Sequence, residues 1–185
     1  MSSDHTAAVT ADFVLDMDEL RIVARYGAEL ADGLLPIFEL ACPDDPRPRT
    51  AVAAAWEFVH GAPRTRLQRI TSMDAHRAAT AAPAEAPRLA AQAAGDAASA
   101  AYLHPIAKAH QVGHILRAAA NAARVAEISA PSVPAAAAQA AIQRACQLAT
   151  PALIAVLRRY PQAPAGKSRT AQLMTTLDLT LRATQ

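Results

Sequence analysis

The sequence predicts an all-α protein, an antiparallel bundle of six to seven alanine-rich helices whose successive hairpins can stack on one another. Three observations lead there. Alanine, the strongest helix former, supplies 50 of the 185 residues against 6 glycines. No segment alternates apolar and polar residues as a strand would. Apolar residues instead recur at three- and four-residue spacing, and 13 prolines divide the chain into stretches of helical length. With 4% aromatic residues, the helices are expected to pack closely through alanine-lined faces, over a thin core resting on Leu, Ile and the single Trp56. The length suits one domain with its own core. Residues 1–15 read as a disordered lead, polar and small, and residues 16–183 as a single helical domain.

The first helix is announced at Asp16, with Glu19 three residues on as its capping-box partner. Leu20, Val23, Ala24, Gly27, Leu30, Ala31 and Leu34 form its apolar stripe, and Pro36 is expected to interrupt it before a turn over 37–42. The punctuation Cys42-Pro43-Asp44-Asp45-Pro46-Arg47-Pro48-Arg49 separates it from a second helix over 46–60. There Asp45 is placed to cap, Val52, Ala55, Trp56 and Val59 are expected to be buried, and Gly61 ends the run. Pro63 is read as opening a third helix to about residue 82, with Leu67, Ile70 and Met73 on its apolar face and Asp74 beside them. A fourth helix runs from Pro87 to Tyr102, a fifth from Pro105 to about Ile128, and a sixth from Pro134, breakable at Thr150-Pro151, to Tyr160. A last helix follows the 161–168 linker and carries Leu173, Met174, Leu177 and Leu181.

The fifth helix holds the chemically interesting residues. His110, His114, Arg117, Asn121 and Arg124, spaced four, three, four and three apart, fall on one helical stripe between flanks that are almost wholly apolar. With His104 and Lys108 just upstream, and Asp74 and His76 on the third helix, they are the candidate binding residues. If Asp74 and His76 face the stripe, a pocket is expected between the helices.

His110 and His114, one turn apart, could share a metal. A third ligand from His104, Asp74, His76 or Asp96 is not fixed by spacing, and neither a His-Glu-x-x-His nor a repeated Glu-x-x-His is present. No metal and no cofactor are therefore expected, with His110 and His114 the one alternative. An acid/base site could use His104, His110 or His114, with Lys108, Arg117 or Arg124 holding an anion and Asp74 orienting an imidazole, but no nucleophile motif accompanies it. Gly166-Lys167-Ser168 fails as a phosphate loop, because Pro161 stands where the first glycine is required.

A net charge of +2 and a pI near 8.8 fall far short of the cationic density that nucleic-acid backbones demand. No apolar run approaches the ~20 residues of a membrane span. The start Ser2-Ser3-Asp4-His5 lacks a signal sequence, and Cys42 and Cys146 lack metal or redox spacing. Neither nucleic acid nor membrane is expected as a partner, and a cytoplasmic location follows. A protein partner could meet the fifth helix or the acidic run of Asp12, Asp16, Asp18 and Glu19.

Several segments together resemble a known family. Asp44-Asp45-Pro46-Arg47-Pro48, Ala75-His76-Arg77-Ala78-Ala79, Tyr102-Leu103-His104-Pro105 with Lys108, and Ala163-Pro164-Ala165-Gly166-Lys167 are similar to segments of the bacterial immunity proteins called Imm-five-like. The resemblance runs from about Asp18 to Leu181. It implies an all-helical fold and the neutralisation of a toxin by binding. Some members carry the label of an exonuclease subunit, for which this chain has neither a Walker loop nor a long coiled coil. The expected function is binding, to a toxin or other protein partner or to a small anionic molecule, with a homodimer allowed. The alternative is a small biosynthetic enzyme using the histidines of the fifth helix for proton transfer.

Overall fold

A computed structural model describes residues 13–184, which contain nine α-helices and two short 3-10 turns and no strand. The helices are α1 (Met17–Asp32), α2 (Leu35–Ala41), α3 (Arg47–Val59), α4 (Arg66–Ala81), α5 (Glu85–Ser99), α6 (Val112–Ser129), α7 (Pro134–Leu148), α8 (Pro151–Arg158) and α9 (Arg169–Ala183), packed side by side as a bundle. The count exceeds the six to seven expected because the first and sixth predicted helices are each two. Pro36 lies in the first turn of α2, where its missing N–H costs nothing, so it opens a helix where an interruption was expected. Thr150 caps α8 through its side chain and Pro151 begins it.

Local chemistry accounts for several of the ends. Asp16 and Glu19 form the reciprocal capping box of α1. The expected cap at Asp45 is displaced by one residue: Pro46 is the cap position, while the Asp45 carboxylate accepts from the Arg47 amide at 3.1 Å and pairs with its guanidinium at 2.6 Å. Pro63 lies in the loop, and α4 instead starts at Thr65, whose capping box uses Gln68. Gly61, with φ +102, turns the chain after α3.

Helix α5 lies at the centre, touching α1, α2, α3, α4 and α6. Ala90, Ala91, Ala93, Ala94 and Ala98 are fully buried, which is possible because methyl-sized side chains let neighbours approach from several directions. At the α1 crossing the approach is closer still: a Cβ on Gly27 would stand 3.2 Å from Ala97 Cα. The large core residues are Tyr26, Leu35, Phe38, Phe58, Ile115, Leu116, Leu157 and Leu177.

Two expectations about burial are overturned. Trp56 is only half-buried, stacked on His60 and donating to Asp32 at 2.6 Å, and Phe58 takes the core position. On α4, Leu67, Ile70 and Met73 are 40%, 48% and 47% exposed, and the face turned inward is Gln68, Thr71, Ser72, Ala75, Ala78 and Ala79. Small groups suit that face because α5 packs closely against it, and the one long side chain, Gln68, turns to α3 and donates to the Ala54 carbonyl at 3.2 Å.

Residues 1–12 lie outside the described part, including Asp12 of the acidic run and most of the expected lead. From Phe13 onward the chain lies against the bundle, with Phe13 edge-on to Tyr160 and its amide donating to Pro105 at 3.1 Å. Among the described residues no single helix is long and apolar enough to cross a membrane.

The inverted face of α4 is testable by urea unfolding. Phe58→Ala is expected to cost about 3–5 kcal/mol, whereas Ile70→Ala should stay within about 0.5 kcal/mol of the parent. Comparable losses at the two positions would contradict the assignment.

Candidate functional site

From His114 to Arg124 the predicted stripe lies on α6 and faces the central helix, whereas His110 falls outside it. Helices α5 and α6 run antiparallel, so the α6 positions meet α5 positions of falling number. His114 Nδ1 is 3.2 Å from Ser99 Oγ, Arg117 Nη1 donates to Asp96 Oδ1 at 2.9 Å, and Asn121 Nδ2 donates to the Leu89 carbonyl at 3.2 Å. Arg124 grips both oxygens of Glu85 at 2.9 and 3.0 Å. The stripe is thus a polar seam joining two alanine-lined helices.

Asp96 is its focus. Its side chain is 2% exposed, Oδ1 takes Arg117, and Oδ2 has no partner among the described residues. Burial pushes its carboxyl above the usual carboxylate range, while the charges of Arg117 and His76 pull it back down. His76 Nε2 stands 3.8 Å from Oδ1, within ion-pair range but beyond a hydrogen bond.

Two glycines make these approaches possible. A Cβ on Gly95 would stand 2.8 Å from His76 Nε2 and 3.0 Å from the Ser72 carbonyl, and one on Gly113 would collide with the guanidinium of Arg117. His76 and Arg117 therefore lie across bare helix backbone to reach the same carboxylate.

His114 is mostly enclosed. Burial, reinforced by the Arg117 charge and by His104, His110 and His76, pushes its imidazole down to about 4, so the ring is neutral at physiological pH. Ser99 donates its hydroxyl proton to the Asp96 carbonyl at 3.0 Å, which is compatible with His114 donating from Nδ1 to Ser99.

The remaining candidates separate. His104, Lys108 and His110 are exposed, because residues 103–108 form a loop and Ala109–Gln111 a 3-10 turn, not the start of a long helix. His110 Nε2 is 2.8 Å from the Gln111 amide nitrogen, and His104 is held by its backbone, donating to Gln111 and accepting from the Tyr160 hydroxyl at 2.8 Å. Asp74 does not face the seam; it pairs with Arg77 at 2.7 Å on the outer edge of α4. Of the α4 pair, only His76 joins the site. Among the described residues no three His, Cys, Asp or Glu side chains converge as a metal set, and His110 and His114 point to different partners.

Spacing on α6 could not identify Asp96 as the hub, nor Ser99, Gly95 and Gly113. The one available signal was the Gly95-Asp96 step inside an otherwise alanine-filled helix. A pocket of 360 Å³ opens at the Ser99 end of the seam, lined by Arg69, Ser72, Met73, Ser99, Tyr102 and His104.

Two outcomes follow from this electrostatics. The unfolded His114 ring titrates near its ordinary 6.5 and the folded one near 4, so on acidification the unfolded chain binds the proton first. The contribution of His114 should be present above pH 6.5 and fall away between 6.5 and 4, by at most about 3 kcal/mol. His114→Gln should flatten that part of the profile in urea titrations at stepped pH. Separately, Arg117→Ala leaves Asp96 buried without its cation and is expected to cost about 3–5 kcal/mol, with Asp96→Asn in the same chain recovering part of the loss.

The family described as Imm-5 like putative immunity protein matches residues 14–152, three quarters of the chain, from α1 through α7 and the first residues of α8. It ends short of the Leu181 suggested by the Ala163–Lys167 segment, so α9 lies outside it. No curated protein and no solved structure matches the chain. With the seam residues Asp96, His114 and Arg117 all inside the matched span, the chain belongs to the Imm-5 like putative immunity protein family.

Proposed function

We propose that the protein acts by binding, as an immunity protein that associates with an acidic partner protein such as a toxin and blocks it through the outer face of α4. The observation that carries this reading is the row Leu67, Ile70, Met73. Among the described residues no other helix exposes more than one large apolar side chain. Arg66 and Arg69 stand beside the row, and neither has an acidic partner among the described residues. With Ile70, Met73 and Tyr102 they line a depression of 460 Å³. Apolar anchors rimmed by unpaired arginines suit a partner that offers an apolar ridge flanked by carboxylates. The seam then serves as the rigid backing, since His76 of α4 is held against α5.

Proton transfer by the α6 histidines fits less well. A base matched to neutral pH titrates near 7, and His114 is pushed down to about 4. Among the described residues no carboxylate bonds its ring; the buried Asp96 is taken by Arg117.

The deciding experiment is a pull-down with the product of the adjacent gene. The parent chain should retain it, and the double variant Ile70→Asp, Met73→Asp should weaken retention by at least about 100-fold while melting as before. Retention unchanged by the double variant would reject this face. No retained partner, together with turnover of a small molecule that depends on His114, would reject the binding reading itself.

A further inference from the structure

The outer face of α4 carries more chemistry than a bare apolar row. Its depression of 460 Å³ is lined by Arg66, Arg69, Ile70, Met73 and Tyr102. The Tyr102 hydroxyl donates to the Thr65 carbonyl at 2.6 Å, which fixes the ring against the start of α4, and the Arg64 guanidinium lies 5.2 Å from the ring centroid. Most arginines of the chain are paired with a carboxylate, but Arg64, Arg66 and Arg69 stand together with no acidic partner among the described residues. The one acid of α4, Asp74, is taken by Arg77 at 2.7 Å. The result is a concentrated positive face around an apolar hollow.

The kind of anchor that suits this hollow follows from what each wall gains. An aliphatic side chain gains from its buried area alone. An aromatic ring gains about 150–250 Å² of burial and, in addition, a specific interaction with four of the five lining residues. The Met73 sulfur is polarizable and adapts to a ring edge. Tyr102 offers a ring for offset or edge-to-face stacking. Arg66 and Arg69 can each cover a ring face or hold a carboxylate. Arg69, Met73 and Tyr102 also line the 360 Å³ pocket at the Ser99 end of the seam, so the hollow continues past them toward the polar Ser72 and His104.

We propose that this hollow takes an aromatic side chain of the partner protein, Phe, Tyr or Trp, with Asp or Glu beside it in the partner's sequence. The ring packs on Met73 and Tyr102, and the carboxylates pair with Arg66 and Arg69. This rests on the binding reading of the α4 face and names the anchor that reading leaves open. Such a ring is the contact expected to dominate the association, because binding energy concentrates where a large aromatic side chain fills a pocket that a charged rim shields from water.

The test is an NMR titration of the full chain, isotopically labelled at its methionine methyl groups, with the Met73 signal assigned by its loss in Met73→Leu. The probes are the peptide acetyl-Asp-Glu-Phe-Glu-Asp-amide, the same peptide with Leu for Phe, and the same peptide with Lys for every acid. The Phe peptide should shift the Met73 methyl upfield, as a ring held against it does, and leave the buried Met174 unmoved. It should bind at least about tenfold more tightly than either of the other two. The double variant Arg66→Gln, Arg69→Gln, at exposed residues with no ion pair to lose, should weaken it about tenfold. No shift at millimolar peptide, equal binding of the Leu peptide, a Met73 shift produced more readily by adenosine monophosphate, or a signal that moves with protein concentration alone would each overturn the proposal. The last two would assign the hollow to a nucleotide or to a second copy of the chain. A partner retained by the parent and lost by Ile70→Asp, Met73→Asp, together with equal binding of the Phe and Leu peptides, strikes the aromatic anchor and keeps the binding reading; no retained partner while the Phe peptide still binds does the reverse.

Discussion

Everything in this fold depends on how near other helices can come to α5. An alanine-filled helix offers neighbours a surface with almost no relief, so α1, α3, α4 and α6 close in on it. Close approach maximises dispersion contacts in a chain short of large apolar side chains. It also narrows the space for water, so a buried polar group on α5 has to be satisfied by its neighbours. Asp96 is the group for which that requirement is most severe, and Arg117 and His76 can reach it only because Gly95 and Gly113 present no side chain.

The seam is therefore best understood as a means of giving two featureless helices a unique register. Sliding α6 by one turn along α5 would replace many alanine methyl contacts by others like them, though Ile115 and Leu116 would lose their places. The same slip would strand Arg117, His114 and Arg124 away from Asp96, Ser99 and Glu85. Buried polar contacts of this kind contribute little net stability and a large penalty against the wrong alignment. On this view the charged groups specify the arrangement that the alanines hold together.

The sequence made the helical class and the polar stripe plain, because periodicity is a local property and the spacing of His110 to Arg124 needs no partner to be seen. The inner face of α4 was not legible by the same rule. Large apolar residues are ordinarily taken to point inward, yet Leu67, Ile70 and Met73 are excluded by the proximity of α5, and Gln68 can be buried because it donates to the Ala54 carbonyl at 3.2 Å. Trp56 misled because its indole lies at the edge, stacked on His60 and donating to Asp32, while Phe58 two residues on takes the core position. The stretch from Pro105 to Lys108 reads as the start of the fifth helix, but it lies in a loop over 103–108 that is held by residues far away in the chain. Asp96 was visible as a residue and not as a hub, because its partners come from two other helices.

That loop has a kinetic corollary. His104 is held by the Tyr160 hydroxyl, 56 residues further on, and Pro105 by the Phe13 amide near the other end of the chain. Phe13 and Tyr160 in turn pack on each other, and Arg159 joins Glu19. Segments from the beginning, middle and end of the molecule must have met before the backbone of the His-Pro step is fixed. Contacts of such long sequence separation carry the largest loop-closure entropy and form late. The geometry of this one loop therefore reports on whether the segments at Phe13 and Tyr160 have docked, even though the helices beside it are stabilised by local contacts and by their immediate neighbours.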